Sequence, residues 1–392
     1  MCPSSCLRAA AALAVVVVCS NACLCGFAPQ SGTSDGGGVD GGTVDGGTVD
    51  GGAVDAGTVT AAKLSTDALL VSAAAGPVAD PCAGQGPDFN IGVMRYDGGS
   101  HWLFDGGVNG PGDELWPRLS PDRTRFVYYR APVGKSSELC RYELQELWVA
   151  NVDGTGARPA FSHDDKKRVA NDAGWPVHQT YQGHADWAPD SRHVVMFMGF
   201  QPPNPIFPTL PDPTHGLGNL YVLDVDTGAL RQVTDRKNDA GFGQSGDPSI
   251  TPDGQDIIFF GCPDAVPAGC AQPQMLAVPF AADKAKSTRV VFDGGGNDVY
   301  VSPDGRQVLW MSNPLLIAYQ INVAPYSAGQ PIDPGLIKVI EPWAGGYGNW
   351  APDSGAIVYG YQHWIYIHHL DGKPPLKLSP QGAVESFRDP SP

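Results

Sequence analysis

Ile250-Thr251-Pro252-Asp253-Gly254-Gln255-Asp256-Ile257-Ile258-Phe259-Phe260 is the stretch that decides the fold. Pro252 presets the first turn angle, Asp253 can bond its own backbone, and Gly254 accepts the conformation that follows. The apolar run after the turn is short and of strand-forming type, the mark of a strand buried on both faces.

The same pattern returns four more times: Leu119-Ser120-Pro121-Asp122-Arg123, Trp187-Ala188-Pro189-Asp190-Ser191, Val301-Ser302-Pro303-Asp304-Gly305 and Trp350-Ala351-Pro352-Asp353-Ser354. Each precedes an apolar run, in order Phe126-Val127-Tyr128-Tyr129, Val194-Val195-Met196-Phe197, Val308-Leu309-Trp310 and Ile357-Val358-Tyr359. Between successive turns lies a second hairpin signal, such as Leu147 to Gly154 and Leu220 to Gly228, with an Asp-Gly-like reversal. The unit is therefore four strands.

Such outer hairpins begin near Ile91, Leu147, Leu220, Met275, Ile317 and Ile365, so the hairpins number about six against five Pro-Asp turns. The missing inner piece is expected from the C-terminus: Arg388-Asp389-Pro390-Ser391 matches the approach Gly246-Asp247-Pro248-Ser249 to the decisive turn. A four-stranded sheet repeating at about 50 to 65 residues predicts an all-β fold, a six-bladed beta-propeller whose first blade is completed by the C-terminal segment. Sharing a blade between the chain ends leaves no wide edge open.

The five Pro-Asp turns with their apolar followers resemble the WD40-like repeats of TolB-type six-bladed propellers, over about three quarters of the chain. The resemblance implies an envelope protein that binds other proteins, such as a peptidoglycan-associated lipoprotein. It covers the propeller only, because TolB carries an additional N-terminal α/β domain and nothing between Thr60 and Pro87 is long enough to be one. Related propellers also cap serine peptidases and form some sugar-acid lyases, so the fold does not choose a function by itself.

Chemistry is expected where the innermost strands approach their turns. Five places before each turn proline stand Trp116, His184, Asp247, Asp298 and Tyr347, with Asp389 supplying the sixth position, and these are expected to ring one channel mouth. Two places further on, Arg118, Asp186, Ser249, Tyr300 and Asn349 share their orientation by strand periodicity. The ring reads as a site for a cation or a cationic group, with His178, His184, Asp247 and Asp298 the candidate ligands of a divalent cation. The competing reading is that inner-strand Asp residues bond local backbone donors. His368 and His369 are neighbours on one strand, face opposite ways and cannot chelate one ion.

No catalytic residue is assigned. Gly243-Gln244-Ser245-Gly246 only superficially resembles a nucleophile elbow, and no strand-turn-helix pattern surrounds it. A required cofactor is not implied. Two surface segments suit protein contacts: the proline-rich stretch from Gly199 to Gly218, and the charged loop His163-Asp164-Asp165-Lys166-Lys167-Arg168 followed by Trp175 and Tyr181.

The N-terminus reads as an address. Arg8, the apolar run Ala9 to Val18, and small Ser20 and Ala22 before Cys23 predict a signal peptide over 1–22, with Cys23 a candidate for lipidation. From 23 to 60 the chain is a Gly/Asp/Val-rich linker in which a five-residue unit recurs, such as Asp45-Gly46-Gly47-Thr48-Val49. It offers too little apolar surface to offset backbone ordering, and as a flexible coil it reaches on the order of 30 Å. Residues 61–87 read as a lead-in segment and 88–392 as the propeller.

Beyond the signal, Cys82, Cys140, Cys262 and Cys270 suit an oxidising compartment, and the pairs Cys262–Cys270 and Cys82–Cys140 are the expected disulfides. Lys and Arg total 25 against 41 Asp and Glu, a net charge of -16, so phosphate backbones are repelled and nucleic acid is excluded as a partner. The sequence thus predicts a monomeric exported module of the periplasm or outer membrane. It would bind envelope proteins, held to the membrane where Cys23 carries a lipid and soluble where the chain is simply cleaved after Ala22; the rival reading is a metal-dependent, lyase-like enzyme with its site at the channel mouth.

Overall fold

The computed structural model describes residues 63–74, 89–97, 101–104, 107–110, 112–131, 145–177, 180–183, 185–200, 217–235, 248–261, 273–312, 319–344, 348–361, 364–378 and 386–392. The predicted signal peptide, the linker and Cys23 lie outside them, as do Cys82, Cys140, Cys262, Cys270, the proline-rich stretch 201–216 and Ser245.

The first sheet holds β1 (Ala68–Ala74), β2 (Phe89–Arg95) and β3 (His101–Leu103). The second is β4 (Glu114–Leu119), β5 (Arg125–Arg130), β6 (Glu146–Asn151) and β7 (Arg158–Phe161), after which comes helix α1 (His163–Ala173). The third holds β8 (Thr180–Gln182), β9 (Asp186–Trp187), β10 (His193–Phe200), β11 (Leu217–Asp224) and β12 (Leu230–Gln232). The fourth is β13 (Ser249–Ile250), β14 (Asp256–Gly261), β15 (Gln274–Pro279) and β16 (Arg289–Phe292). The fifth is β17 (Asn297–Val301), β18 (Gln307–Ser312), β19 (Tyr319–Pro325) and β20 (Lys338–Ala344), and the last is β21 (Gly348–Trp350), β22 (Ala356–Tyr361), β23 (Trp364–His369) and β24 (Leu376–Lys377). β25 (Ser386–Ser391) then returns to pair antiparallel with β1, giving the first sheet the order β25-β1-β2-β3.

Five sheets thus have the four antiparallel strands that the repeat predicts, and the third has five because its inner edge is split into β8 and β9. Two expectations are corrected. The lead-in segment 61–87 contributes β1, wholly buried between β25 and β2, so the first sheet needs a strand from each end of the chain. The charged stretch from His163 to Arg168 is no loop but the start of α1, where Ser162 and Asp165 form a capping box and Gly174 ends the helix in the left-handed conformation (φ 72°).

All five Pro-Asp turns share one bonding scheme. The amide of the residue after Asp donates to the carbonyl three residues back, as Gly254 to Thr251 (2.8 Å) and Gly305 to Ser302 (2.8 Å). The Asp Oδ1 accepts from the backbone two residues on, namely from Thr124, Arg192, Gln255, Arg306 and Gly355. The position after Asp lies at positive φ in every copy: Arg123 (61°), Ser191 (53°), Gly254 (70°), Gly305 (74°) and Ser354 (60°). That is the conformation glycine adopts at no steric cost.

The apolar runs sort by alternation. Ile257 and Phe259 pack toward the third sheet, while Ile258 and Phe260 pack toward the fifth. The same alternation sends Leu69 and Val71 of β1 toward the last sheet and Leu70 toward the second. Each pair of neighbouring sheets encloses its own apolar cluster, and one of these joins the last sheet to the first. The innermost strands touch in succession: β25 with β4, β4 with β9, β9 with β13, β13 with β17, β17 with β21, and β21 with β25.

Candidate functional site

Four innermost strands are interrupted at the position five residues before the turn proline, or its counterpart. The ladder of β4 shifts register between Leu115 and Arg118, that of β17 between Asn297 and Val299, and that of β25 on the stretch from Arg388 to Ser391. In the third sheet the break falls between β8 and β9, around residue 184. Trp116 (φ 51°) and Asp298 (φ 49°) take left-handed backbone there. For a side chain of tryptophan's size this is a strained geometry, and a bulge of this kind re-aims the residue it carries.

The expected ring at that position is therefore only partly described, and where it is described it is not a lining. Trp116 is turned into the apolar cluster between the second and third sheets, edge-on to Tyr129 with centroids 5.9 Å apart. Asp298 is fully buried, and its Oδ2 accepts from Asn297 Nδ2 at 2.7 Å. His178, His184, Asp247 and Tyr347 lie outside the described residues, and of Asp389 only the backbone is described, within β25.

The residues two places further on do come together. Arg118 is 3% exposed; its Nη2 donates to the Tyr300 hydroxyl at 2.7 Å and its Nη1 to the Pro117 carbonyl at 3.1 Å. The guanidinium carbon stands 5.4 Å from the centre of the Tyr300 ring. Asp186 accepts from Ser249 Oγ at 2.8 Å and from the Ile250 amide at 3.4 Å. Burial pushes the Asp186 carboxyl up, opposed by the Ser249 hydroxyl and by the charge of Arg118. Asn349 is half-buried at the equivalent position of β21. One bond, Arg118 to Tyr300, thus joins the second sheet to the fifth, and another, Ser249 to Asp186, joins the fourth to the third at the equivalent positions of the repeat.

The backbone at these positions is held by tryptophan. Trp187 Nε1 donates to the Arg118 carbonyl at 2.8 Å, and Trp350 Nε1 donates to the Tyr300 carbonyl at 2.9 Å. Each indole therefore reaches from its own turn back to the preceding sheet, at the same position of the repeat. Ser391 Oγ accepts from the Leu119 amide at 2.8 Å and ties β25 to β4. Alignment on the turn proline shows that the two Trp residues are equivalent, but it gives no sign of what an indole N–H would bond. Among the described residues no group of three or more His, Cys, Asp or Glu could hold a metal ion.

No protein family and no curated protein matches the chain. Among solved structures it is similar to TolB from Acinetobacter baumannii at 16% identity and a TM-score of 0.55, over 83% of this chain and 66% of that one. It is similar to hydrazine synthase of Kuenenia stuttgartiensis at 12% identity and a TM-score of 0.56, over 83% of this chain and 46% of that one. An oligogalacturonate lyase in complex with manganese aligns at 13% identity and a TM-score of 0.45, over 76% of this chain and 72% of that one. The chain thus spans less than two thirds of the first two, and the likeness shows the fold alone: a beta-propeller.

Proposed function

We propose that this protein is an exported beta-propeller of the cell envelope, a closed ring of six blades that serves as a binding or scaffolding module rather than an enzyme. The closed, six-fold reading is supported by the cycle of contacts among the innermost strands and by the pairing of β25 with β1. Export is supported by the leader-like N-terminus, by the four cysteines Cys82, Cys140, Cys262 and Cys270 and by the likeness to TolB.

The observation that carries the binding reading is the difference between the two faces. On the face of the Pro-Asp turns, every inner connection is a tight turn closed by its own hydrogen bonds. On the other, where the innermost strands begin, stand α1 and the extended ends of β10 and β11, and the strands joined by residues 75–88, 132–144, 201–216 and 262–272 end there. A rigid ring that gathers its long connections on one face is built to present them. The axis beneath that face is crossed by the bond between Arg118 and Tyr300, so a ligand would meet a floor and not a conduit.

The test is site-specific photo-crosslinking of the full chain in intact envelopes, with the probe at Asp172 on α1 or at Lys373 beside the opposite face. Discrete adducts from position 172 and none from 373 support the reading; the reverse pattern, or none from either, refutes it. Metal analysis addresses the rival enzyme reading: near-stoichiometric manganese, calcium or zinc that is lost in His184→Ala would favour it.

A further inference from the structure

Four aromatic side chains share one face of the last sheet. Tyr361 ends β22 and Trp364 begins β23, and the two stand directly opposite in the ladder, as do Tyr359 and Tyr366. Residues opposite each other, or two apart on one strand, lie on the same face, so the four form one row. The Tyr359 and Tyr366 rings stack with centroids 5.6 Å apart, and the Tyr361 ring is inclined to that of Tyr366 at 6.2 Å. The three tyrosines pack against Leu309, Ile321 and Val323 of the fifth sheet, which fixes them in place. Trp364 is half-buried at the end of the row.

A cation stands on this row. Lys377, exposed on the edge strand β24, is paired with Tyr366 in the ladder, and its ammonium reaches diagonally to within 3.3 Å of the centre of the Trp364 ring. The face of an indole is the negative end of its quadrupole and attracts positive charge. β24 is two residues long and both are exposed, so Lys377 is free to swing away from the ring.

We propose that the Trp364 ring, with its tyrosine neighbours, is a site for a quaternary ammonium group, and that Lys377 is a built-in competitor which such a group displaces. The site lies where β22 and β23 reach the face of the long connections, as β10 and β11 do in the third sheet. It goes beyond the scaffold reading, because it takes a small cation and needs no partner protein. A lysine ammonium is compact and strongly hydrated, and it gives up part of that hydration to touch a ring. A quaternary ammonium has no N–H to hydrate and meets the ring with methyl groups that carry the charge, the chemistry that aromatic sites recognise. The charge of the chain acts in the same direction: 41 Asp and Glu against 25 Lys and Arg draw cations to its surface.

Choline is the probe that tests this, followed on the full chain by fluorine NMR after fluorotryptophan incorporation, with the Trp364 resonance assigned through Trp364→Phe. Choline should shift that resonance saturably. Ammonium at the same ionic strength, and neohexyl alcohol, the uncharged isostere of choline, should shift it far less. Lys377→Gln changes only an exposed side chain and removes the competitor, so it should tighten choline binding by about three- to sixfold, the weight of one exposed cation–π contact. A response to neohexyl alcohol equal to that to choline would reduce the row to an apolar patch and overturn the proposal. So would the absence of a choline response in both the wild type and Lys377→Gln, or weaker binding in Lys377→Gln. Once choline binds, co-sedimentation with phosphatidylcholine vesicles, and not with phosphatidylglycerol vesicles, assigns the group to a lipid headgroup; no co-sedimentation assigns it to a free cation.

Discussion

Arg118 and Tyr300 stand on innermost strands three places apart in either direction around the cycle of contacts, and the Arg118 guanidinium donates to the Tyr300 hydroxyl at 2.7 Å. A single bond thus spans the axis between the second and fifth sheets. Tyr300→Phe keeps the ring and removes the acceptor, leaving a buried charged donor short of a partner. The expected loss of stability is about 1–3 kcal/mol. Urea unfolding of Tyr300→Phe, Arg118→Met and the double variant should show a coupling of about 1 kcal/mol or more between them. Strict additivity would mean that the bond does not bridge the axis in solution.

The residue after each Pro-Asp pair gives a second prediction, because two effects oppose there. Replacing a side chain at positive φ by glycine relieves about 1 kcal/mol of backbone strain. Ser191 and Ser354 spend their hydroxyls on the neighbouring turn, accepting from the Asp122 amide (3.0 Å) and the Asp304 amide (3.1 Å). Loss of one neutral bond costs about as much as the relief, so Ser191→Gly and Ser354→Gly should be near neutral. Arg123 differs: its Nε donates to the Leu64 carbonyl, and its Nη2 to those of Ser65 and Ala68, clamping the start of β1. Arg123→Gly should therefore lower stability by about 2 kcal/mol or more in spite of the relief. A thermal midpoint equal to that of Ser191→Gly would refute the clamp.

The turns were legible because their chemistry is local. Pro, Asp and a residue that tolerates positive φ specify the bond pattern within five positions, and periodicity then assigns the strands between them. The site was half legible. Counting back two at a time assumes an unbroken ladder, and the bulges at Trp116 and Asp298 break it, so Arg118 and Tyr300 share a layer from which Trp116 has been turned away. β1 is not legible by its turn, because Leu64-Ser65-Thr66-Asp67 lacks both the proline and the glycine, although the buried run that follows is as apolar as the others. For α1 the signal is in the sequence, with Ser162 and Asp165 spaced as a capping box and Gly174 after the last turn, but its apolar face is narrow: only Lys166, Val169 and Ala170 are buried.

Asp224 sets the expected behaviour in acid. Its Oδ2 accepts from Arg192 Nε (3.0 Å) and Nη2 (2.6 Å), and its Oδ1 from the amides of Asp226 (2.9 Å) and Thr227 (3.2 Å). The bond to Arg192, against a smaller opposing effect of burial and with help from Thr227, holds the carboxyl well below the usual carboxylate range. A depressed value means that the stabilisation is complete above the unfolded value near 3.8 and is lost as pH falls further. Asp224→Asn should flatten the acid limb of a stability-against-pH curve below about pH 4. An acid limb as steep as that of the wild type would assign the loss to other carboxylates.

The final prediction concerns β25, the innermost strand of the first sheet. Deleting Ser386–Pro392 removes the partner of β1, whose seven residues are all buried, and the Ser391 hydroxyl that receives the Leu119 amide. What remains is an apolar strand with a free edge facing the axis, the kind of template on which chains pair with one another. The damage should be cooperative, because β25 also touches β4 on one side and β21 and β22 on the other, so the first sheet loses contacts with both of its neighbours. Size-exclusion chromatography with light scattering should find the truncated chain in larger species than the full chain at the same concentration. A synthetic peptide of residues 386–392 added during refolding should restore the size of the full chain, whereas a peptide with Ser391→Ala should restore it less completely. If the truncated chain keeps the size of the full chain and melts within a few degrees of it, the fold does not depend on this strand, and the bond between Arg118 and Tyr300 must hold the second and fifth sheets together without it.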